Sequence, residues 1–331
     1  MRLKARLIFY GGVLALLASA LLYTTGMPGS SYTGALPAST PELRELSRRL
    51  HDHVVVLADS IGTRSLDRAE NLEKARQYLA LQLQPVAPAE NPLQFEDVGA
   101  DGGHAKNVIF EVNGKDSRRL VVVGAHYDSV DTGPGANDNG SGVAATLELA
   151  KRFAKTPAPS RVRFVFFVNE EAPYFKNAGM GSRVNADNSR SRGDPIVAML
   201  SLETIGYYSE QADSQHYPFP IGWFYPSRGN FLGFVGDLGS RSLVRAAIAA
   251  FRKAEPFPSQ GAALPATFPG IDWSDHWAFR QAHYPAIMLT DTALYRDPNY
   301  HRASDRPEQL NYDALARVTR GVEAVVRALA E

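Results

Sequence analysis

His126 and Asp128 stand two residues apart, where the apolar run Leu120 to Ala125 gives out. A histidine can ligate a metal, and a carboxylate close by can fix its tautomer. Further on, Gly133-Pro-Gly-Ala-Asn-Asp138-Asn-Gly-Ser-Gly142 sets one carboxylate in a run whose glycines permit tight turns, just ahead of a helical pattern. A second apolar run, Val162 to Val168, ends in Asn169-Glu170-Glu171, and a third, Ile196 to Leu202, ends in Glu203. A last loop runs Asp297-Pro-Asn-Tyr-His301-Arg-Ala-Ser-Asp305. Taken singly, each piece also reads as a turn, a helix cap or a solvated acidic corner. Taken together, His126, Asp138, Glu171, Glu203 and His301 offer the mixed N and O donors that zinc takes where cysteine is absent. This sequence has no cysteine, which also removes disulfides and thiolate nucleophiles. These donors exceed the needs of one tetrahedral ion with an open position, whereas two ions about 3.5–4 Å apart and bridged by one carboxylate would use them all. Of the adjacent acids, one can bind metal while the other takes a proton from the activated water.

These residues need a frame that brings strand ends together. Strand-like runs cover Asn107–Val112, Leu120–Ala125, Val162–Val168, Ile196–Leu202 and Ala286–Leu289, and helical periodicity covers Pro41–Ala58, Ala69–Leu83, Gly142–Lys155, Ser240–Lys253 and Tyr312–Ala330. Several strand runs are unbroken apolar stretches, which suit central strands covered on both faces. The fold class is α/β, and ligand sites in such sheets favour the strand ends. The candidate residues spread from His126 to His301, so a boundary inside the body would cut the site. We expect one catalytic domain over 41–331.

With 331 residues, 44% hydrophobic and 21% charged, the chain can bury a large core. Its 35 basic and 35 acidic residues cancel, so no net field favours nucleic acid as a partner. Arg2, Lys4 and Arg6 precede an apolar run from Leu7 to Tyr23, and Ala18-Ser19-Ala20 offers a small-residue cleavage site. Residues 1–25 read as a signal peptide or an N-terminal membrane anchor, implying export. Residues 26–40, rich in Gly, Ser, Pro and Thr, read as a flexible tether. The aromatic stretch Tyr217 to Phe234 either walls an apolar pocket or covers the core. His51, His53, His104, His216 and His283 match no motif and read as surface or packing residues.

In order and approximate spacing, Gly124-Ala-His-Tyr-Asp-Ser129, Gly135-Ala-Asn-Asp-Asn-Gly-Ser-Gly142, Asn169-Glu-Glu171, Ser274-Asp-His276 and Tyr300-His301 with Asp305 resemble the motif series of metallopeptidase family twenty-eight. That family includes bacterial leucyl aminopeptidases and glutamate carboxypeptidases. The likeness runs from about Leu43 to Leu329 and is specific as an ordered set. It implies a mixed, mostly parallel sheet of about eight strands flanked by helices. It implies two zinc ions per chain bridged by Asp138, with a cis peptide after it. His126 and Glu203 would complete one site, and Glu171 and His301 the other. Glu170 would be the general base, and Asp128 would orient His126. The implied activity is that of a zinc-dependent exopeptidase on a peptide substrate, an aminopeptidase first. Glu203 departs from the pattern, since the family more often has Asp there and a longer side chain must reach the same metal. His276 is open between a ligand-orienting or transition-state donor and a structural polar residue. A glutaminyl-cyclase-like acyltransferase, with one zinc on an Asp, a Glu and a His, is the principal rival. A non-catalytic domain of the transferrin-receptor kind would be expected to have lost ligands.

Overall fold

An unbroken apolar run can sit inside a sheet only when both faces are covered. A computed structural model, which describes residues 2–100 and 103–331, shows how this chain achieves that. Its strands are β1 (Gln94–Ala100), β2 (Gly103–Val112), β3 (Asp116–His126), β4 (Ser160–Phe167), β5 (Ile196–Glu203), β6 (Leu232–Asp237), β7 (Ser259–Leu264) and β8 (Ala286–Thr290). They form one eight-stranded sheet in the order β1-β2-β4-β3-β5-β8-β6-β7. Strands β4, β3, β5 and β8 are mutually parallel. Antiparallel β2 borders them on one side, and the β6–β7 pair, antiparallel to β8, borders them on the other. The sheet is therefore mixed with a parallel centre, as the family resemblance implies.

Alternation along each central strand sorts its side chains between two cores. Val121, Val123, Phe164, Phe166, Leu200 and Leu202 enter the larger one, beneath α2 (Pro41–Val55), α3 (Ala69–Leu83), α4 (Gly142–Lys155), α6 (Arg241–Ala254) and α8 (Tyr312–Leu329). Leu120, Val122, Val165, Phe167 and Met199 face the other way, onto α5 (Gly181–Arg192) and α7 (His276–Gln281). The larger core reaches from Leu43 to Ala330, so one body holds both ends of the region. Helix starts follow local chemistry. Pro41 opens α2 behind Thr40, whose hydroxyl accepts from the Leu43 amide at 3.2 Å, and Asn311 caps α8 by accepting from the Ala314 amide at 3.0 Å.

Each expected strand and helix is present. Strands β1, β6 and β7 and helices α5 and α7 were not expected, because their sequences carry weak patterns. In β7, Ser-Gln-Gly-Ala-Ala-Leu has little β-propensity of its own. Helix α5 buries a face of Gly181, Ser182, Asn185, Ala186 and Ser189, which leaves no apolar stripe to read.

The N-terminal residues form α1 (Arg2–Thr25), on which Phe9 is 66%, Leu16 72% and Leu22 70% exposed. The side chains of Arg2, Lys4, Arg6 and His104 lie outside the described residues. Among the described residues no helix is long and apolar enough to cross a membrane. The stretch read as a flexible tether has no helix or strand from 26 to 40, yet it lies along the body. Several of its carbonyls are taken by arginines of the body. Arg252 donates to Pro28 at 2.9 Å and Gly29 at 3.1 Å, and Arg317 donates to Pro37 at 2.6 Å.

Candidate metal centre

Parallel strands bring their C-terminal ends to one edge of the sheet. Strand β3 delivers His126, β5 delivers Glu203, and the chain leaving β4 delivers Glu170 and Glu171. Asp138 reaches the same edge from the turn before α4, which Gly135 enters with φ of 63°, a left-handed conformation glycine adopts without strain. His301 comes from the long loop after β8. All the donors expected from sequence converge there.

Asp138 divides its two oxygens. Oδ1 lies 3.3 Å from His126 Nε2, which is also 3.3 Å from Glu203 Oε2. Oδ2 lies 3.0 Å from His301 Nε2, which is 3.3 Å from Glu171 Oε2. Donors bound to one tetrahedral zinc at about 2.0–2.1 Å stand about 3.3 Å apart, so each histidine stands from its two carboxylates at the spacing of ligands around a shared ion. The residues fit metal on a second observation. His126 Nε2, Asp138 Oδ2 and Glu171 Oε1 are buried without a hydrogen-bond partner, a costly arrangement unless something else satisfies them. Donor atoms of His126, Asp138 and Glu171 fall within 4.8 Å of one another, across both triads. The Asp138–Asn139 peptide is cis. The longer Glu203 reaches as near to His126 as Asp138 does, and Ser274 holds it by donating to Oε2 at 2.7 Å.

The charges tell the same story. Burial lifts Glu171 to about 7 and carries Glu170 well above the carboxylate range. Burial alone would lower His301, but Asp138 and Glu171 raise it to about 10. It would lower His126 too, yet Glu203 and Glu170 hold that imidazole well above its usual range. Burial opposes the charge on Asp138, and the two imidazoles outweigh it and keep the carboxyl low. Buried acids pressed onto two imidazoles form a site that divalent cations neutralise.

Asp128 sits beside His126 Nδ1, with its carboxylate at 3.6 Å and its carbonyl at 3.2 Å. The carboxylate also accepts the amides of Glu170 at 3.2 Å and Glu171 at 3.1 Å, so it fixes the β4 exit as well. His276 is fully buried, and its Nε2 bonds the Ile271 carbonyl at 2.7 Å. Burial drops its pKa to about 4, which favours the neutral imidazole. Of the unassigned histidines, His51, His216 and His283 are exposed, and His53 is buried between Tyr78 and Glu148.

Tyr300 was read only as part of a motif, and Arg64 escaped the sequence reading altogether. Tyr300 stacks on His301 with centroids 3.9 Å apart and helps wall an apolar cleft that reaches Glu203. Arg64 is fully buried and donates to the carbonyls of Tyr127 (2.8 Å), Leu57 (3.0 Å), Gly62 (3.1 Å), Pro134 (2.6 Å) and Gly135 (3.0 Å). It ties the chain after His126 to the turn before Asp138, and no motif announces it. Replacing Arg64 by Met is expected to cost at least about 3 kcal/mol, because several buried carbonyls lose their donor together. Urea unfolding of the variant measures this.

The aromatic stretch splits three ways. Tyr217, Tyr225 and Phe231 line the cleft, Phe234 lies in the core, and Phe219 and Trp223 are exposed.

Comparison with known proteins agrees with this picture. Over 300 residues the chain is 36% identical to the uncharacterized protein YfbL of Escherichia coli (strain K12), covering 88% of this chain and 90% of that one. It is 29% identical to leucine aminopeptidase 2 of Trichophyton rubrum over 68% of this chain, but spans only 44% of that protein's length. Three solved structures share the fold. LapB from Legionella pneumophila gives a TM-score of 0.71 at 19% identity, covering 91% of this chain and 78% of its own. BSAP, a zinc aminopeptidase from Bacillus subtilis, gives 0.62 at 15% identity, covering 88% and 95%. A glutaminyl cyclase from Bacteroides thetaiotaomicron gives 0.63 at 18% identity, covering 88% and 99%.

Fold and donor set together define a hydrolase of the metallo-exopeptidase class. The sequence model of Peptidase family M28 matches residues 107–326, and the chain belongs to that family.

Proposed function

We propose that this protein is an exported aminopeptidase that cleaves the first residue from peptides at a two-zinc centre. The observation that carries the reading is the division of Asp138, one oxygen 3.3 Å from His126 and the other 3.0 Å from His301. His126, Asp138 and Glu203 would hold one zinc, and Asp138, Glu171 and His301 the other. When bound, the two ions would polarise the scissile carbonyl and lower the pKa of water. Glu170 stands beside both triads and belongs to neither, with Oε2 3.9 Å from His126 Nε2. Its raised pKa suits a group that takes a proton from the attacking water and returns it to the leaving amine.

The cleft supports an amino-terminal substrate. Glu203 at its inner end makes it favour a free ammonium group, and among the described residues lining it there is no Lys or Arg to receive a terminal carboxylate. Phe231, Ile271, Met288 and Tyr295 suit an apolar side chain. Acetylating the amino terminus of a leucyl peptide is therefore expected to lower kcat/KM by at least about 100-fold, through the lost charge-assisted contact and a buried acid left unpaired. Equal cleavage of free and blocked peptides would overturn the amino-terminal reading. The rival cyclization of N-terminal glutamine needs one zinc and leaves His126 and Glu203 without a task.

Export rests on α1, whose exposed Phe9, Leu16 and Leu22 suit a leader or anchor better than a helix in water. Recovery of the protein in the cytoplasmic fraction of its host would contradict it.

A further inference from the structure

An asparagine stands on each side of Asp138, and their side-chain Nδ2 groups donate into different halves of the centre. Asn139 grips the backbone around Glu203. Its Nδ2 donates to the Leu202 carbonyl at 2.7 Å, and its Oδ1 accepts the Thr204 amide at 3.2 Å. Glu203 is the residue between those two groups. A primary amide carries a donor and an acceptor on adjacent atoms of one short planar group, which suits this double contact.

Asn137 grips the loop that carries His301. Its Nδ2 donates to Asp297 Oδ2 at 3.1 Å and to Asp291 Oδ2 at 2.9 Å, and its own amide donates to Asp305 Oδ1 at 2.8 Å. Asp297 lies four residues before His301 and Asp305 four after, so the Asn137 side chain holds one end of the loop and its backbone N–H the other. His301 depends on those ends, because its side chain is 40% exposed and packed by the Tyr300 ring, whereas His126 is fully buried. The Asn137 Oδ1 accepts the Gly206 amide at 2.9 Å, and any Cβ at Gly206 would lie 2.9 Å from that oxygen, so the contact requires glycine there. Both asparagines are buried.

We propose that the two asparagines are positioning residues with separate duties. Asn139 sets the half of the centre made by His126 and Glu203, and Asn137 sets the half made by Glu171 and His301. Asp138 joins the halves, and its neighbours fix the distance of each outer ligand from it. Aspartate could replace neither, since it would lose the bond to the Leu202 carbonyl at one position and repel Asp291 and Asp297 at the other.

The inference rests on the two-zinc reading. Its test is a chelator-competition titration of zinc on the full chain, with His126→Ala and His301→Ala as references marking each ion. Asn137→Ala is expected to weaken by about 10–100-fold the ion that His301→Ala removes, and to leave the other ion tight. Asn139→Ala is expected to do the reverse, matching His126→Ala. Adding Asn137→Ala to His301→Ala should then change zinc binding no further. If Asn137→Ala does not fold, Asp297→Ala cuts the same link from its far end and gives the same selective loss. A purely structural role would lower the unfolding temperature while both affinities stay unchanged, and that result overturns the proposal. Equal weakening of both ions overturns it too. A wild-type chain that binds a single zinc would overturn the two-zinc reading itself and the proposal with it.

Discussion

Glu170→Gln is expected to lower kcat by about 10²–10⁴-fold while zinc binding and fold persist, because it removes a proton carrier and nothing else. Glutamine keeps the shape of the side chain. The amide of residue 170 would still reach the Asp128 carboxylate, as it does at 3.2 Å, so the β4 exit should hold. Neither triad includes Glu170, so neither loses a ligand. The expected signature is a fall in kcat with KM little changed, since proton transfer belongs to the transition state and not to binding. Steady-state kinetics with zinc analysis on the same sample measures both. Activity close to wild type would remove Glu170 from its role.

Asp138→Ala is expected to be the most damaging single change at the centre. Each triad counts Asp138 among its members, at 3.3 Å from His126 and 3.0 Å from His301, so one substitution takes a donor from both. Zinc affinity should fall by more than the about 10–100-fold typical of partners outside the ligand set, and activity at ordinary zinc concentrations should vanish with it. His301→Ala, by contrast, takes a donor from one triad and should leave one ion bound. Zinc titration of the two variants side by side distinguishes a shared ligand from two independent ones. If Asp138→Ala lost only one ion, the bridge would be refuted.

The sequence exposed the site better than the frame around it. His126, Glu170, Glu171 and Glu203 were legible because each follows an apolar run, and parallel strands bring such ends to one edge. Asp138 was legible because its turn needs glycines. His301 was legible only as one donor in a polar loop, and the resemblance to a family motif gave it its place at the second site. What stayed hidden depends on contacts between distant parts of the chain. Arg64 looks like any surface arginine until five carbonyls from 57 to 135 are seen to converge on it. Ser274 was read as part of a motif, while its duty to Glu203 at 2.7 Å appears only in three dimensions. Strands β6 and β7 were missed because glycine, serine and alanine leave no alternating pattern, although those small residues make room for the cleft.

Zinc content is the most direct check on the whole account. The full chain would be dialysed against zinc-buffered solution to remove loosely bound metal, and zinc per chain measured by mass spectrometry against a protein concentration from amino-acid analysis. The account predicts a value near two, falling toward one in His301→Ala. A value near one in the wild-type chain would contradict the shared Asp138 bridge, and would turn attention to cyclization of N-terminal glutamine.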